Sequence, residues 1–326
     1  MSSPSASEAG ADTAAGADGS AGGPPRLNGG DTVARAVEVL RASPLGHAVV
    51  VAPDGTAEAE LFLSEPGLRD ELQGAKEVQQ RLLPRVVPTV PHFDFAGRYA
   101  AAGHVGGDYW SVKFYREEGI VTCKLADVTG HGIGAAILMA AVKFVSGVLF
   151  RGSTSPTSVM ERTNHSLLRE TSPDKMATMV YAWVYPQTRR VRLVNAGHSP
   201  AFLCRGATGA VEDIPATGPL LGLIETTYDE ITVTLAPGDL LFFCSDGVAE
   251  AGDPRTFGEA RVKEIVREHR KQSADAIADA VFAAARACCG TPRDDMSLLV
   301  IKASEVKAAP GGAQKGRRAA RSPDVP

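Results

Sequence analysis

The chain has 326 residues, 44% of them apolar, with 34 basic against 38 acidic side chains and a net charge of −4. That length allows one large domain with appendages or two smaller ones, and the apolar share excludes wholesale disorder. The mildly acidic balance excludes a body built for non-specific nucleic-acid binding.

Residues 1–30 are mainly Ala, Gly, Ser and Pro, with neither a basic start nor an apolar run. They are expected to form a disordered tail without a secretory signal. Residues 31–67 carry a helical pattern (Val33, Val37, Leu40) and an apolar strand, HAVVVAPDG. This small segment stays unassigned, as a sensor remnant or a dimerisation element. Leu68, Leu72, Ala75 and Leu82 then follow helical steps until Pro84. The pattern predicts a linker helix over 68–84 whose short stripe either pairs two copies or packs on its own domain.

From about residue 93 the pattern turns to strands: FDFAGRYAAAG, DYWSVKFY and GIVTCKLADV. The stretch Ile133–Phe150 is long enough to span a bilayer, but Lys143 near its middle predicts a buried amphipathic helix. A helix over Ser158–Glu170 follows. Then come MATMVYAWVYP, RRVRLVNAG, PAFLCRG, YDEITVTLAPG and DLLFFCSDG, two helices (Glu259–Lys271 and Ala274–Cys289) and a last strand, MSLLVIK. Hairpin spacing dominates, which predicts an α+β fold of mainly antiparallel sheets covered by helices. Residues 303–326 read as a basic disordered tail, either simply solvated or a charge-steering arm. Cys123, Cys204, Cys244, Cys288 and Cys289 form no CxxC pair. Reduced thiols in the cytoplasm fit best, without a disulfide framework or a structural zinc.

The chemistry gathers in the acids at strand ends: Asp108 in VGGDYW, Asp127 in KLADVTGHGIG, Asp246 in CSDGV, and Asp294 and Asp295 before MSLLV. Each alone reads as a turn or cap residue. Together they could converge at one end of a sheet layer. Converging carboxylates repel and lose solvation unless cations join them, and oxygen-only ligands select Mg²⁺ or Mn²⁺. Two such ions about 3.5–4 Å apart can share a bridging hydroxide that attacks a phosphate in line. Gly106, Gly107, Gly130, Gly132 and Gly247 let backbone approach an ion or phosphate.

Rival readings lack their partners. Gly130, Gly132 and Ala135 resemble a dinucleotide-binding turn, but no strand follows around Arg151–Ser158 to carry the required acid. DVTGHGI also resembles an ATP-lid box. That site needs an upstream helical asparagine, and the only one before Asp127 is Asn28. No thiol-phosphatase CxxxxxR occurs after Cys204, where Ala210 holds the arginine's place.

In this order, GGDY, ADVTGHGIGAAILMA, LVNAGHSPAFL, GPLLGL, LLFFCSDGVAEA, FGEARV and DDMSLLV resemble the SpoIIE/RsbU-like branch of the PPM metal-dependent serine/threonine protein phosphatases. KEVQQRLLPRVVP is similar to that branch's linker helix, so the resemblance covers about residues 68–302. It implies a sandwich of two antiparallel sheets flanked by helices, with the phosphatase domain at 85–302. It implies two divalent cations, Mn²⁺ or Mg²⁺. Asp127 would bridge them with the Val128 carbonyl, Asp108 would bind one ion, and Asp246 and Asp294 the other. Asp127 and Asp246 would be the catalytic pair, with His131, Asp295, Gly107 and Gly130 around them. Thr129 stands where the wider family has a histidine, so His131, four residues after Asp127, is either a leaving-group acid or a loop-ordering residue. His198 reads as a turn histidine.

The implied substrate is phosphoserine or phosphothreonine on a regulatory protein, an anti-sigma-factor antagonist. An upstream activator and a homodimer through the linker helix would complete the partners, with no nucleic acid and no membrane. Control would sit in the helices Leu68–Leu82 and Ile133–Phe150. The alternative is a catalytically silent binding module of the same fold.

Overall fold

The computed structural model describes residues 25–28, 31–43, 47–54, 56–62, 66–252, 257–289, 292–304 and 317–318. The readings made for residues 1–24 and for most of 303–326 lie outside these. The chain divides into two units, residues 1–70 and 71–326.

In the first unit, β1 (Arg26–Asn28), α1 (Val33–Ala42), β2 (His47–Val51) and β3 (Ala57–Phe62) make a three-stranded sheet with one helix. Thr32 caps α1 by accepting from the Arg35 N–H at 3.2 Å. Arg26–Asn28 were expected inside the disordered tail. They instead pair in parallel with β2, because Leu27 finds apolar cover against Leu40 and Ala48.

The unit boundary falls within α2 (Pro66–Leu82), which ends two residues before Pro84. The second unit continues with β4 (Val86–Val87), β5 (Phe93–Ala100), β6 (Tyr109–Tyr115), β7 (Ile120–Val128), α3 (Gly132–Leu149) and α4 (Pro156–Glu170). Next come β8 (Ala177–Tyr185), β9 (Arg190–Ala196), β10 (Ala201–Cys204), β11 (Val211–Asp213), β12 (Ile231–Thr234) and β13 (Leu240–Cys244). The chain then runs through α5 (Asp246–Ala249), α6 (Gly258–His269), α7 (Ala274–Cys289), β14 (Met296–Ala303) and β15 (Arg317–Arg318). β15 pairs with β4, so these two residues of the expected basic tail are in a strand; backbone pairing needs no apolar side chain.

Two five-stranded antiparallel sheets stack face to face. Their orders are β11-β10-β13-β14-β5 and β12-β9-β8-β7-β6. Phe95, Trp110, Leu125, Leu193, Phe243 and Leu299 fill the space between them. The outer face of the first sheet packs on α6 and α7 through Phe242, Leu298 and Val300. The outer face of the second packs on α3 and α4 through Ala126, Val128, Met179 and Tyr181. Successive residues of β14 therefore face two different cores, and its centre, Leu298–Ile301, is an unbroken apolar run rather than an alternating one. The long apolar helix of the sequence is α3, whose buried side (Ala135, Leu138, Met139, Val142, Ser146) lies on the second sheet.

Candidate metal centre

The acidic residues sit at the ends of four strands, two from each sheet. β6 and β7 are neighbours, with Tyr109 paired to Ala126, so Asp108 just before β6 and Asp127 near the end of β7 lie side by side. β13 and β14 are neighbours in the other sheet, with Cys244 paired to Leu298. The ladder continues through Ser245, whose N–H donates to the Ser297 carbonyl at 2.9 Å, and brings Asp246 at the start of α5 beside the Asp294–Asp295 turn. Antiparallel pairing thus places four distant sequence positions at one edge of the sandwich.

Two glycines set the approach. A Cβ at Gly247 would stand 2.0 Å from the Asp295 carbonyl oxygen, and one at Gly107 3.0 Å from the Val128 carbonyl oxygen. Only glycine lets these segments come so close.

The two adjacent aspartates differ. Asp295 is buried, and its carboxylate accepts from the N–H of Ala102 at 2.8 Å and of Gly107 at 2.5 Å. It holds the loop that leads into Asp108. Asp294 is exposed and accepts from the Asp295 N–H at 2.7 Å. From the other side, Gln79 of α2, 5% exposed, grips the same loop. Its amide nitrogen donates to the Gly106 carbonyl at 2.5 Å, and its oxygen accepts from the Gly106 N–H at 3.0 Å. The linker-helix pattern of Leu68, Leu72, Ala75 and Leu82 gave no sign of this polar contact, because it depends on a backbone 27 residues away.

The field at the site is anionic. Burial, then Asp246, push the Asp127 carboxyl up to about 7, with Asp294 and Asp295 adding to the rise and a hydrogen bond with Asp108 opposing it. Burial raises Asp108 well above the usual carboxylate range, with Asp127 and Asp295 adding to it. Asp246 is raised by burial and then by Asp294. Among the described residues, no three His, Cys, Asp or Glu side chains are already drawn together to hold one ion. The donor set nonetheless fits a hard cation. It is all oxygen, Asp108 Oδ2 is buried without any partner, and Gly107 leaves room beside the Val128 carbonyl.

The remaining candidates separate. His131 is exposed at the N-cap of α3, between Gly130 (φ 92°) and Gly132 (φ 73°), and its side chain makes no capping bond. Thr129 is tied to the entry of β8, with its N–H on the Met176 carbonyl at 2.9 Å. His198 is buried, and its Nδ1 meets the Thr178 hydroxyl at 2.7 Å. That hydroxyl in turn donates to the Asp127 carbonyl at 3.5 Å. The Asn195 side chain ties the His198 backbone at both N–H and C=O, which is the turn expected of NAGH. Burial pulls His198 down to about 4, so it is neutral near pH 7. Sequence reading missed Thr178, which faces Asp127 across the β7–β8 ladder and carries no motif. A pocket of about 450 Å³ opens beside the acids, lined among others by Asp127, Asp246, Thr178, His198, Glu250 and Glu259.

Residues 118–304 match the Stage II sporulation protein E (SpoIIE) family. The phosphoserine phosphatase RsbU of Bacillus subtilis is 26% identical over 238 residues, 72% of this chain and 70% of its own. Among solved structures, the SiaA-PP2C domain of Pseudomonas aeruginosa superposes with a TM-score of 0.63 at 20% identity, covering 74% of this chain and 98% of that one. The RsbU and RsbW domains of Rv1364c from Mycobacterium tuberculosis give 0.62 at 19%, covering 70% of this chain and 64% of that one. This chain thus spans a little under two thirds of the mycobacterial one. Two further neighbours of the fold, RsbX and the catalytic domain of PstP (TM-scores 0.52 and 0.51), were solved with magnesium and with two manganese ions.

Proposed function

This chain belongs to the SpoIIE family, with the fold of a PP2C-type protein serine/threonine phosphatase, and we propose that it hydrolyses phosphoserine or phosphothreonine on a regulatory protein using divalent cations. One observation carries this reading. Carboxylates from four strand ends lie at one edge of the sandwich, near enough to raise one another's pKa, and one of their buried oxygens has no partner.

We assign Asp108, Asp127, Asp246 and Asp294, with the Val128 carbonyl, as the cation ligands, for two ions, Mn²⁺ or Mg²⁺. When bound, such ions supply Lewis acidity at phosphoryl oxygens and lower the pKa of a coordinated water to about 7. The chain's own residues do the rest. Asp295 and Gln79 hold the loop that aims Asp108. Thr178 and His198 hold the strand end that carries Asp127. Asp127, protonated up to about pH 7 without cations, gives up its proton when it becomes a ligand. The pocket beside the acids gives the substrate's peptide room to reach them. His131, exposed and free of a capping bond, is placed to meet the leaving serine oxygen or to order the loop.

The regulatory protein we propose is an anti-sigma-factor antagonist of a partner-switching pathway in the cytoplasm, in keeping with the kinship to RsbU. Hydrolysis of p-nitrophenyl phosphate and of a phosphoserine protein, with and without Mn²⁺, tests the reading. Wild type should require the metal, and Asp127→Asn and Asp246→Asn should each lose at least about 100-fold, on the scale of a main electrostatic contribution to catalysis. Metal-independent turnover would overturn the site assignment. No turnover on any phosphoprotein, with partner binding intact, would leave the silent binding module as the better account.

A further inference from the structure

The helix α3 buries Ala135, Leu138, Met139, Val142 and Ser146 on the sheet, yet its outer face is apolar as well. Ile133, Ile137, Phe144 and Val148 are 42%, 66%, 55% and 70% exposed. They recur at steps of four, seven and four, and so form one stripe about 22 Å long at 1.5 Å per residue. Single exposed apolar side chains are ordinary, but a continuous stripe along a helix marks a contact surface.

The flank of this stripe is basic. β6 is the edge strand of its sheet. Its Lys113 lies opposite Thr122, and Lys124 lies opposite Ser111, so the two lysines are diagonal neighbours on one sheet face. That face is the one α3 covers. Lys124 is buried with its ammonium on the Ser146 hydroxyl at 2.9 Å and 4.7 Å from the Tyr181 ring centre. Lys143, one turn before Ser146, lies 4.9 Å from the Phe144 ring centre. Burial lowers the pKa of both Lys124 and Lys143, and the nearby Lys113 adds to it. Among the described residues none of the three lysines pairs with a carboxylate. At 100° per residue, Ala136, Ala140 and Gly147 lie between Lys143 and the stripe, a shallow seam that admits another backbone.

From this stripe and its unpaired lysines we propose that the groove between α3 and the β6 edge receives an amphipathic helix of a partner protein, apolar on one side and acidic on its flank. A second copy of this chain would bring its own Lys113 and Lys143 to the same seam. An anionic membrane would use the charge but not the small-residue seam.

The probe is a fluorescent 21-residue helical peptide with Leu at the a and d heptad positions and Glu at e and g, compared with its Lys counterpart on the full chain. The Glu peptide should bind at least tenfold more tightly. The double variant I137S/F144S should weaken it at least tenfold, and K113E/K143E should invert the preference, with melting temperatures held because these side chains are surface ones. Equal binding of the two peptides, or binding of neither, overturns the proposal. So does a dimer in sedimentation that I137S/F144S dissociates, which makes the occupant a second copy. So does stripe-dependent capture by phosphatidylglycerol vesicles, which makes it a lipid surface.

Discussion

At the scale of the residue, neighbouring aspartates with the same chemistry have different duties. Asp294 points to solvent, whereas Asp295 is bound to two backbone N–H groups in the interior. Asp294→Asn should weaken Mn²⁺ activation several-fold with little change in melting temperature. Asp295→Ala leaves buried donors unpaired, at about 1–3 kcal/mol for each group. It should lower the melting temperature by several degrees, and differential scanning calorimetry of both variants separates the two roles.

Asp127 also fixes the sign of a pH effect. Its folded pKa of about 7 lies above the ordinary 3.8. Its contribution to stability is therefore complete below about pH 3.8 and is lost as pH rises through 7. Buried His198, lowered to about 4, acts in the opposite direction, losing stability as pH falls from 6.5 towards 4. The difference between wild type and Asp127→Asn isolates the aspartate. Without metal, the wild type should lose melting temperature relative to the variant from pH 5 to pH 8. Saturating Mn²⁺ should flatten that slope, because a cation favours the ionised carboxyl.

At the scale of the element, α2 reaches the centre through one side chain. The Gln79 amide satisfies both the N–H and the C=O of Gly106, two residues from Asp108. Gln79→Ala should raise the Mn²⁺ concentration for half-maximal activity several-fold while leaving the pocket's acids in place, and a metal titration at fixed substrate measures it. An unchanged Mn²⁺ requirement would show that the loop is held by Asp295 alone. Within the second unit, Gln79 is thus the side chain through which α2 holds the loop that leads into Asp108.

At the scale of the molecule, Asp295 at the end of one sheet reaches the loop before β6 of the other, its carboxylate accepting from the Gly107 N–H at 2.5 Å, and the 245–247 and 294–297 segments are tied to each other. Ser245 accepts from the Ser297 N–H at 2.9 Å, and its hydroxyl donates to the Asp295 carbonyl at 3.2 Å. Cations held by acids of both sheets would stabilise the folded state by mass action, about 2.7 kcal/mol at a hundred times the dissociation constant. Mn²⁺ should therefore raise the melting temperature of the wild type and of Gln79→Ala, and leave Asp127→Asn nearly unmoved.

Much of this was legible in the sequence. Hairpin spacing gave the antiparallel α+β sandwich, and the ordered motifs gave the acids, because strand ends and Asp-Gly turns are local signals. The apolar runs of β13 and β14 announced strands, and their burial on both faces explains why no alternation accompanied them. What the chain order could not contain was which atoms meet. Only the tertiary structure decided that Asp295 serves the loop rather than facing solvent as Asp294 does, that Thr178 backs Asp127, that Gln79 grips Gly106, and that Ile133, Ile137, Phe144 and Val148 of α3 stay outside the core. Each depends on the register between strands or on the rotation of a helix against a sheet. These are fixed by the packing of side chains far apart in sequence, where local propensity has no say.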